Sequence, residues 1–324
     1  MQTYRVDVDN MYRTICSGAG LRKKDMVFPI FVQEQGIKFQ NIKTMPGITK
    51  TPLSETINQV KKVLDAGISS IIIFGIPKKL DDSACHASKK NGIVQRALLL
   101  IKNKFGNLIN VTTDVCLCQY NFSGHCGLLT NNGKIDNDST LQFLSEIALS
   151  HAEAGADIVA PSSMMDGQVL SIRKSLDKYG FTNTKILSYS AKYNSSLYGP
   201  FRSAIFSKKC DYKGLNKSAY QIAYTNPKET MREIENDIWE GADMVMIKPA
   251  MAYLDVIYMI KENLKFPLAV QNVSGEYAMV KAAARRGWIE EEEVKVNSIV
   301  SMKRAGADRI ISYFALDLAR YLEE

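Results

Sequence analysis

Eight short apolar runs, separated for the most part by amphipathic stretches of helical length, constrain this 324-residue chain more than any other feature. They lie at Met26 to Val32, Ser69 to Ile76, Leu108 to Val115, Ala156 to Pro161, Lys185 to Ser190, Ala242 to Ile247, Leu268 to Val273 and Arg309 to Phe314. Runs that are apolar on both faces suit parallel strands covered by helices. Helical periods fill many of the gaps, as at Pro52 to Asp65, Asn91 to Phe105, Asp138 to Glu153, Pro227 to Glu240 and Ala252 to Leu264. Several end in Ala-Gly or Gly-Ala-Asp immediately before the next apolar run, which is a compact helix-to-strand junction. Eight strands alternating with helices in about 300 residues favour a (β/α)8 TIM barrel over an open doubly wound sheet. No Gly-x-Gly-x-x-Gly follows the first run, which counts against a dinucleotide fold.

The expected organisation is an N-terminal arm or irregular lead-in over residues 1–25, then a single barrel domain over 26–324. An active-site lid is expected at about 195–226, where neither a helical nor a strand period is evident. That segment carries Tyr198, Arg202, Lys208, Lys209, Lys213, Lys217 and Gln221. Long connections in compact domains are commonly lids or binding segments, and these cations suit an anionic substrate.

Composition narrows the class. With 46% hydrophobic and 23% charged residues, and no apolar run long enough to span a bilayer, the chain reads as soluble and globular. The first residues lack the apolar core of a signal peptide, so a cytoplasmic, reducing setting is expected, in which cysteines serve metals more than disulfides. The net charge of +7 is dispersed in ones and twos, which speaks against nucleic-acid binding.

Three of the six cysteines fall within Asp114-Val-Cys-Leu-Cys-Gln-Tyr-Asn-Phe-Ser-Gly-His-Cys126. Strand alternation would put Asp114, Cys116 and Cys118 on one face, with a Gly-containing loop returning Cys126 to it. Three thiolates at one point fit zinc with an open fourth position; buried or reducible thiols without metal are the alternative.

A barrel gathers its chemistry where the strands end. There the third run carries Asp114 and the cysteines, the fifth Lys192, the sixth Lys248, the seventh Ser274, and the eighth contains Tyr313. A free lysine holds well under about 1% neutral amine at pH 7. Two ammonium groups about 4 Å apart at an effective dielectric near 20 repel by about 4 kcal/mol, enough to lower one pKa by roughly three units. Paired lysines on successive strands can therefore activate one another for Schiff-base chemistry on a ketone.

The runs Asp114-Val-Cys-Leu-Cys, Gly124-His-Cys-Gly127, Tyr189-Ser-Ala-Lys-Tyr193, Tyr198-Gly-Pro-Phe-Arg202, Gly241-Ala-Asp-Met-Val-Met-Ile-Lys-Pro249, Val273-Ser-Gly-Glu-Tyr277 and Lys303-Arg-Ala-Gly-Ala-Asp308 resemble the porphobilinogen synthase (5-aminolevulinate dehydratase) family, in order from about residue 26 onward. The resemblance implies a barrel lyase that condenses two molecules of 5-aminolevulinate into porphobilinogen, with loss of two waters, in tetrapyrrole synthesis. It implies Schiff bases at Lys248 and Lys192. It further implies carboxylate contacts from Ser274 and Tyr313 for one substrate and from Arg202, Lys217 and Gln221 for the other.

Cys116, Cys118 and Cys126 resemble the zinc-binding form of the family. Asp114 is placed to hydrogen-bond a reacting amine, or to cap its turn. Glu233 matches a position by which some members hold magnesium. His125 reads as a loop residue beside the metal, and Cys16, Cys85 and Cys210 match no ligand position; the pair Cys85-His86 reads as surface loop. The implied partners are the substrate and other copies of the chain, as a homo-octamer, with neither nucleic acid nor membrane; no organic cofactor is expected. The arginine-rich arm frequent in the family is reduced here to Tyr12-Arg13. Two other readings remain: a barrel aldolase that acts on another keto acid through one lysine, and a zinc-binding regulatory or nucleic-acid-associated barrel.

Overall fold

The computed structural model describes residues 7–206 and 216–324. Each of the eight apolar runs corresponds to a barrel strand: β1 (Met26–Gln33), β2 (Ser70–Ile76), β3 (Asn110–Val115), β4 (Ile158–Pro161), β5 (Lys185–Lys192), β6 (Met244–Lys248), β7 (Leu268–Asn272) and β8 (Arg309–Ser312). Successive strands pair in parallel, and β8 returns to β1 with Met26 opposite Ile310 and Val27 opposite Ile311. The sheet is therefore a closed (β/α)8 barrel. Closure leaves no strand edge within the ring. The strands are buried on both faces because side chains fill the inside while helices such as α2 (Thr56–Asp65), α3 (Ile93–Phe105) and α4 (Asn137–Glu153) cover the outside.

The recurring Gly-Ala-Asp has a specific task. Gly155, Gly241 and Gly306 adopt φ of +100°, +102° and +115°, left-handed backbone that ends a helix without a Cβ penalty. The aspartate two residues on then engages the preceding strand: Asp157 Oδ2 accepts from Val111 N at 2.6 Å, Asp243 Oδ2 from Ile186 N at 2.9 Å and Asp308 Oδ2 from Leu268 N at 2.8 Å. Each junction thus occupies an otherwise orphaned N–H at the base of the neighbouring strand and fixes the register on entry to the barrel.

Two segments differ from expectation. Residues Val8–Gly18, within the expected irregular lead-in, form helix α1, with Asp7 Oδ1 accepting from Asn10 N at 3.1 Å. It buries Tyr12 and Cys16, and the Tyr12 ring stands edge-on to Tyr321 at 5.3 Å. Val8, Met11, Tyr12, Ile15 and Cys16 recur at i, i+3, i+4, i+7 and i+8, so the helical period is present in the sequence itself, and packing on the C-terminal segment then holds the short helix in place. Within the expected lid, Gly199–Ile205 forms a short helix, α6, begun by Pro200 in its first turn. Lys208, Lys209, Cys210 and Lys213 lie outside the described residues. Among the described residues no helix is long and apolar enough to cross a membrane.

Candidate active site

The C-terminal ends of the strands converge on one cavity, and the first cause of its geometry is an irregularity in the sheet. Between β5 and β6, Val245 pairs with Ser188 but Ile247 with Ala191, so three residues of β5 oppose two of β6. This bulge breaks strict alternation on β5 and sets Lys192 directly opposite Lys248. Both lysines are buried. Lys192 Nζ donates to Ser162 O at 2.5 Å, and Lys248 Nζ donates to Gln271 Oε1 at 3.0 Å. The Tyr189 ring lies beneath both ammonium groups, its centroid 4.3 Å from Lys248 Nζ and 6.0 Å from Lys192 Nζ, and Tyr198 flanks Lys248 at 5.3 Å.

Lys248 is pulled from an ordinary value of 10.5 down to about 7, first by burial and second by the charge of Lys192, against the opposing pull of Asp114 and the cysteine sulfurs. Lysine repulsion, on which the sequence argument rests, is the smaller of the two causes. At pH 7 about half of such a group is neutral amine, roughly a thousandfold more than for a free lysine. The Tyr198 hydroxyl donates to the carbonyls of Tyr193 at 2.8 Å and Lys248 at 3.2 Å, tying the lid-side segment to the strand end that carries the amine.

Asp114 is the last residue but one of β3, buried and accepting from Gln119 Nε2 at 2.9 Å. Burial raises its pKa even though the Ser162 hydroxyl and both lysines favour the carboxylate. The strand stops at Val115, so Cys116 and Cys118 converge through a turn and not through strand alternation. Their sulfurs are 3.3 Å apart, and those of Cys116, Cys118 and Cys126 all lie within 4.8 Å of one another, buried. The loop that returns Cys126 is held by the Asn121 side chain, which accepts from Gly124 N at 2.7 Å and donates to His125 O at 3.0 Å.

The three thiols are electrostatically unequal. Burial holds Cys116 up at about 11, whereas sulfur hydrogen bonds from Cys116 and Cys118, then the charges of Lys217 and Lys192, hold Cys126 well below the ordinary thiol range. The Lys217 ammonium stands 3.1 Å from Cys126 Sγ. A cation is thus already drawn to the sulfurs, and three soft donors at this spacing fit a tetrahedral ion with one open position. His125 is not among the donors; its Nδ1 lies 3.1 Å from the Tyr220 hydroxyl.

The same cavity is lined by Arg202 on α6, by Lys217 and Gln221, and by Ser274 and Tyr313. Cys118 reaches it, while Cys116 and Cys126 do not line it. The Gln221 amide oxygen and nitrogen and the Tyr313 hydroxyl are buried without a hydrogen-bond partner among the described residues. Buried polar atoms left unpaired cost about 1–3 kcal/mol each, and here they face a cavity that a polar ligand can enter. The Ser274 hydroxyl accepts from Phe201 N at 3.0 Å and donates to Leu197 O at 3.2 Å, linking α6 to the mouth of the barrel.

Glu233 lies elsewhere, on helix α7 (Pro227–Trp239), 3.5 Å from Arg232 and in no cluster of three donor residues among those described. Burial, then the neighbouring charge of Asp166, raises its pKa. Sequence reasoning assigned no role to Tyr189, Gln271 or Ser162. Tyr189 stands three residues before Lys192, a separation that alternation places on opposite faces; the bulge is what brings them together.

The family profile described as Delta-aminolevulinic acid dehydratase matches residues 1–321. The delta-aminolevulinic acid dehydratase of Methanothermus sociabilis is 46% identical over 315 residues, covering 97% of this chain and 96% of that protein. That of Staphylococcus epidermidis is 45% identical over 305 residues, covering 94% and 93%. Among solved structures, the delta-aminolevulinic acid dehydratase (porphobilinogen synthase) of Toxoplasma gondii ME49, in complex with the reaction product porphobilinogen, superimposes with a TM-score of 0.90 at 36% identity, over 98% of this chain and 91% of that one.

Proposed function

Since the chain belongs to the delta-aminolevulinic acid dehydratase family, we propose a division of labour among its residues for that family's reaction. The activity is that of a lyase that forms porphobilinogen, a step of tetrapyrrole biosynthesis. Two molecules of 5-aminolevulinate condense, and two waters leave.

The observation that carries the assignment is the buried Lys248 amine, drawn down to about 7 beside Lys192. As neutral amine it attacks the ketone of one substrate; the carbonyl oxygen leaves as water and a Schiff base remains. Lys192 forms the corresponding bond with the other substrate. Asp114, whose carboxyl burial makes more basic than an ordinary aspartate, accepts and returns a proton at the reacting amine. Ser274 and Tyr313 take one substrate carboxylate, and Arg202, Lys217 and Gln221 take the other. The unpaired polar atoms of Gln221 and Tyr313 support this.

Cys116, Cys118 and Cys126 would hold zinc, which when bound supplies a Lewis acid that polarises a carbonyl or activates water. Their mutual spacing and the ammonium standing on Cys126 support that donor set. Glu233 would offer a carboxylate to magnesium, with the like charge of Asp166 beside it. The lid over residues 195–226, the single barrel domain over 26–324, the role of residues 1–25 as an arm, the homo-octamer and a cytoplasmic setting belong to the same proposal.

The test is product formation from 5-aminolevulinate, with and without a chelator. Pyrrole product that is lost on chelation and regained with zinc is expected. Product that is indifferent to chelation would contradict the metal assignment, and none from zinc-loaded protein would contradict the whole.

A further inference from the structure

Outside the catalytic cavity, the loop that follows β2 gathers a second set of metal-binding side chains. Asp81, Cys85 and His86 each bring a donor atom within 4.8 Å of the others. One oxygen of Asp81 is committed to the loop itself: Oδ1 accepts from the Ser83 hydroxyl at 2.7 Å and from Cys85 N at 3.0 Å. That commitment aims the other oxygen inward. Oδ2 lies 3.3 Å from Cys85 Sγ and 3.7 Å from His86 Nε2.

These separations match those between ligands of one tetrahedral ion. With bonds of about 2.3 Å to sulfur, 2.0–2.1 Å to nitrogen and 2.0–2.2 Å to oxygen, neighbouring ligands of zinc stand about 3.3–3.7 Å apart. The loop is also built to hold its shape. Ala84, between the donors, is buried at a φ of +57°, a conformation a non-glycine residue adopts only when its surroundings impose it. Asp81 N donates to Tyr120 O at 3.1 Å, which fastens the loop to the turn carrying Cys118.

We propose that Asp81, Cys85 and His86 form a second zinc site at the rim of the barrel, separate from the cysteine loop, with one position left to water. Binding exchanges the Cys85 thiol proton for the metal: the S–H bond breaks, an S–metal bond forms, and one proton goes to solvent. Ligation through His86 Nε2 leaves the ring proton on Nδ1, so the exposed Lys89 ammonium, now 3.4 Å from Nδ1, turns outward. Lys78, Lys79 and Lys89 line the same groove as His86. Those charges disfavour hard cations bound by Coulomb attraction alone, and they leave the advantage to an ion with strong bonds to sulfur and imidazole nitrogen.

The test compares the full-length wild-type chain with Cys85→Ser and, separately, His86→Ala, each equilibrated with zinc, freed of unbound metal and assayed for bound metal per chain. Far-UV circular dichroism of each variant accompanies the assay, and cobalt replaces zinc in a parallel series read by thiolate-to-cobalt absorption. Each substitution should remove about one equivalent of metal per chain, since three protein ligands hold one ion. Cys85→Ser should also remove the part of the cobalt band due to one thiolate. Because the readout is a difference, it does not depend on whether Cys116, Cys118 and Cys126 take metal. Bound metal equal in the wild type and both variants, with an unchanged cobalt band, overturns the proposal.

Discussion

Replacing Lys248 with methionine should make the folded protein more stable, and by an amount that depends on pH. Lys248 is buried, and its pKa falls from 10.5 to about 7 on folding. At about 1.4 kcal/mol per tenfold change, the charged form is disfavoured by an amount on the order of 5 kcal/mol. Below pH 7 the amine is protonated in both folded and unfolded chains, so the full penalty is present. Between pH 7 and the unfolded value near 10.4 the unfolded chain holds a proton that the folded chain has released, and wild-type stability rises with pH through that window. Methionine has the length of the lysine stem and no charge. Urea unfolding at pH 6, 8 and 10 should therefore show Lys248→Met ahead of wild type by several kcal/mol at pH 6, with the gap shrinking at each step. A gap that stays constant, or one that widens with pH, would refute the argument that folding holds this amine partly neutral.

Other consequences follow from the same cavity. Lys192→Met removes the second cause of the depression, so the pH midpoint for borohydride trapping of substrate at Lys248 should move up from about 7; an unchanged midpoint would mean that the two amines do not sense one another. Cys118→Ala should lower zinc retained by the chain at least tenfold on dialysis, because a three-ligand site loses one donor; metal analysis reads it directly. Tyr198→Phe deletes the donor to the carbonyls of Tyr193 and Lys248 and should cost about 1–2 kcal/mol of stability. It should also lower kcat more than it raises KM, since the hydroxyl holds the strand end that carries the amine.

The barrel was legible because its strands are buried on both faces, and such strands read as continuous apolar runs. Every barrel strand overlaps such a run, β1, β5 and β6 extending one or two residues past its end, and the Gly-Ala-Asp junctions announce where three of the strands begin. What sequence does not carry is geometry that arises from tertiary contact. The bulge in β5 has no compositional mark, so Tyr189 beneath the lysines could not be found by alternation. The helix Val8–Gly18, by contrast, has its mark in the sequence, with Val8, Met11, Tyr12, Ile15 and Cys16 at helical spacing, and packing against Tyr321 adds to it. Asp114 and the cysteines were expected along one strand face, yet the strand ends at Val115 and a turn assembles the sulfurs. The lysine pair was visible, but the leading role of burial over repulsion depends on how deeply the barrel encloses Lys248. Cys85-His86 looked like surface loop because Asp81, the partner that makes it a cluster, stands four residues earlier with no motif to join them.

The proposed chemistry rests on Lys248 as an amine poised for covalent attack on a ketone at neutral pH. It is tested most directly by adding 5-aminolevulinate and borohydride to the zinc-loaded protein at pH 7 and mapping the reduced adduct by peptide mass analysis. An adduct at Lys248 is expected in the wild type, with loss of both that adduct and porphobilinogen formation in Lys248→Ala. Full turnover by Lys248→Ala, or trapping confined to other lysines in the wild type, would contradict it.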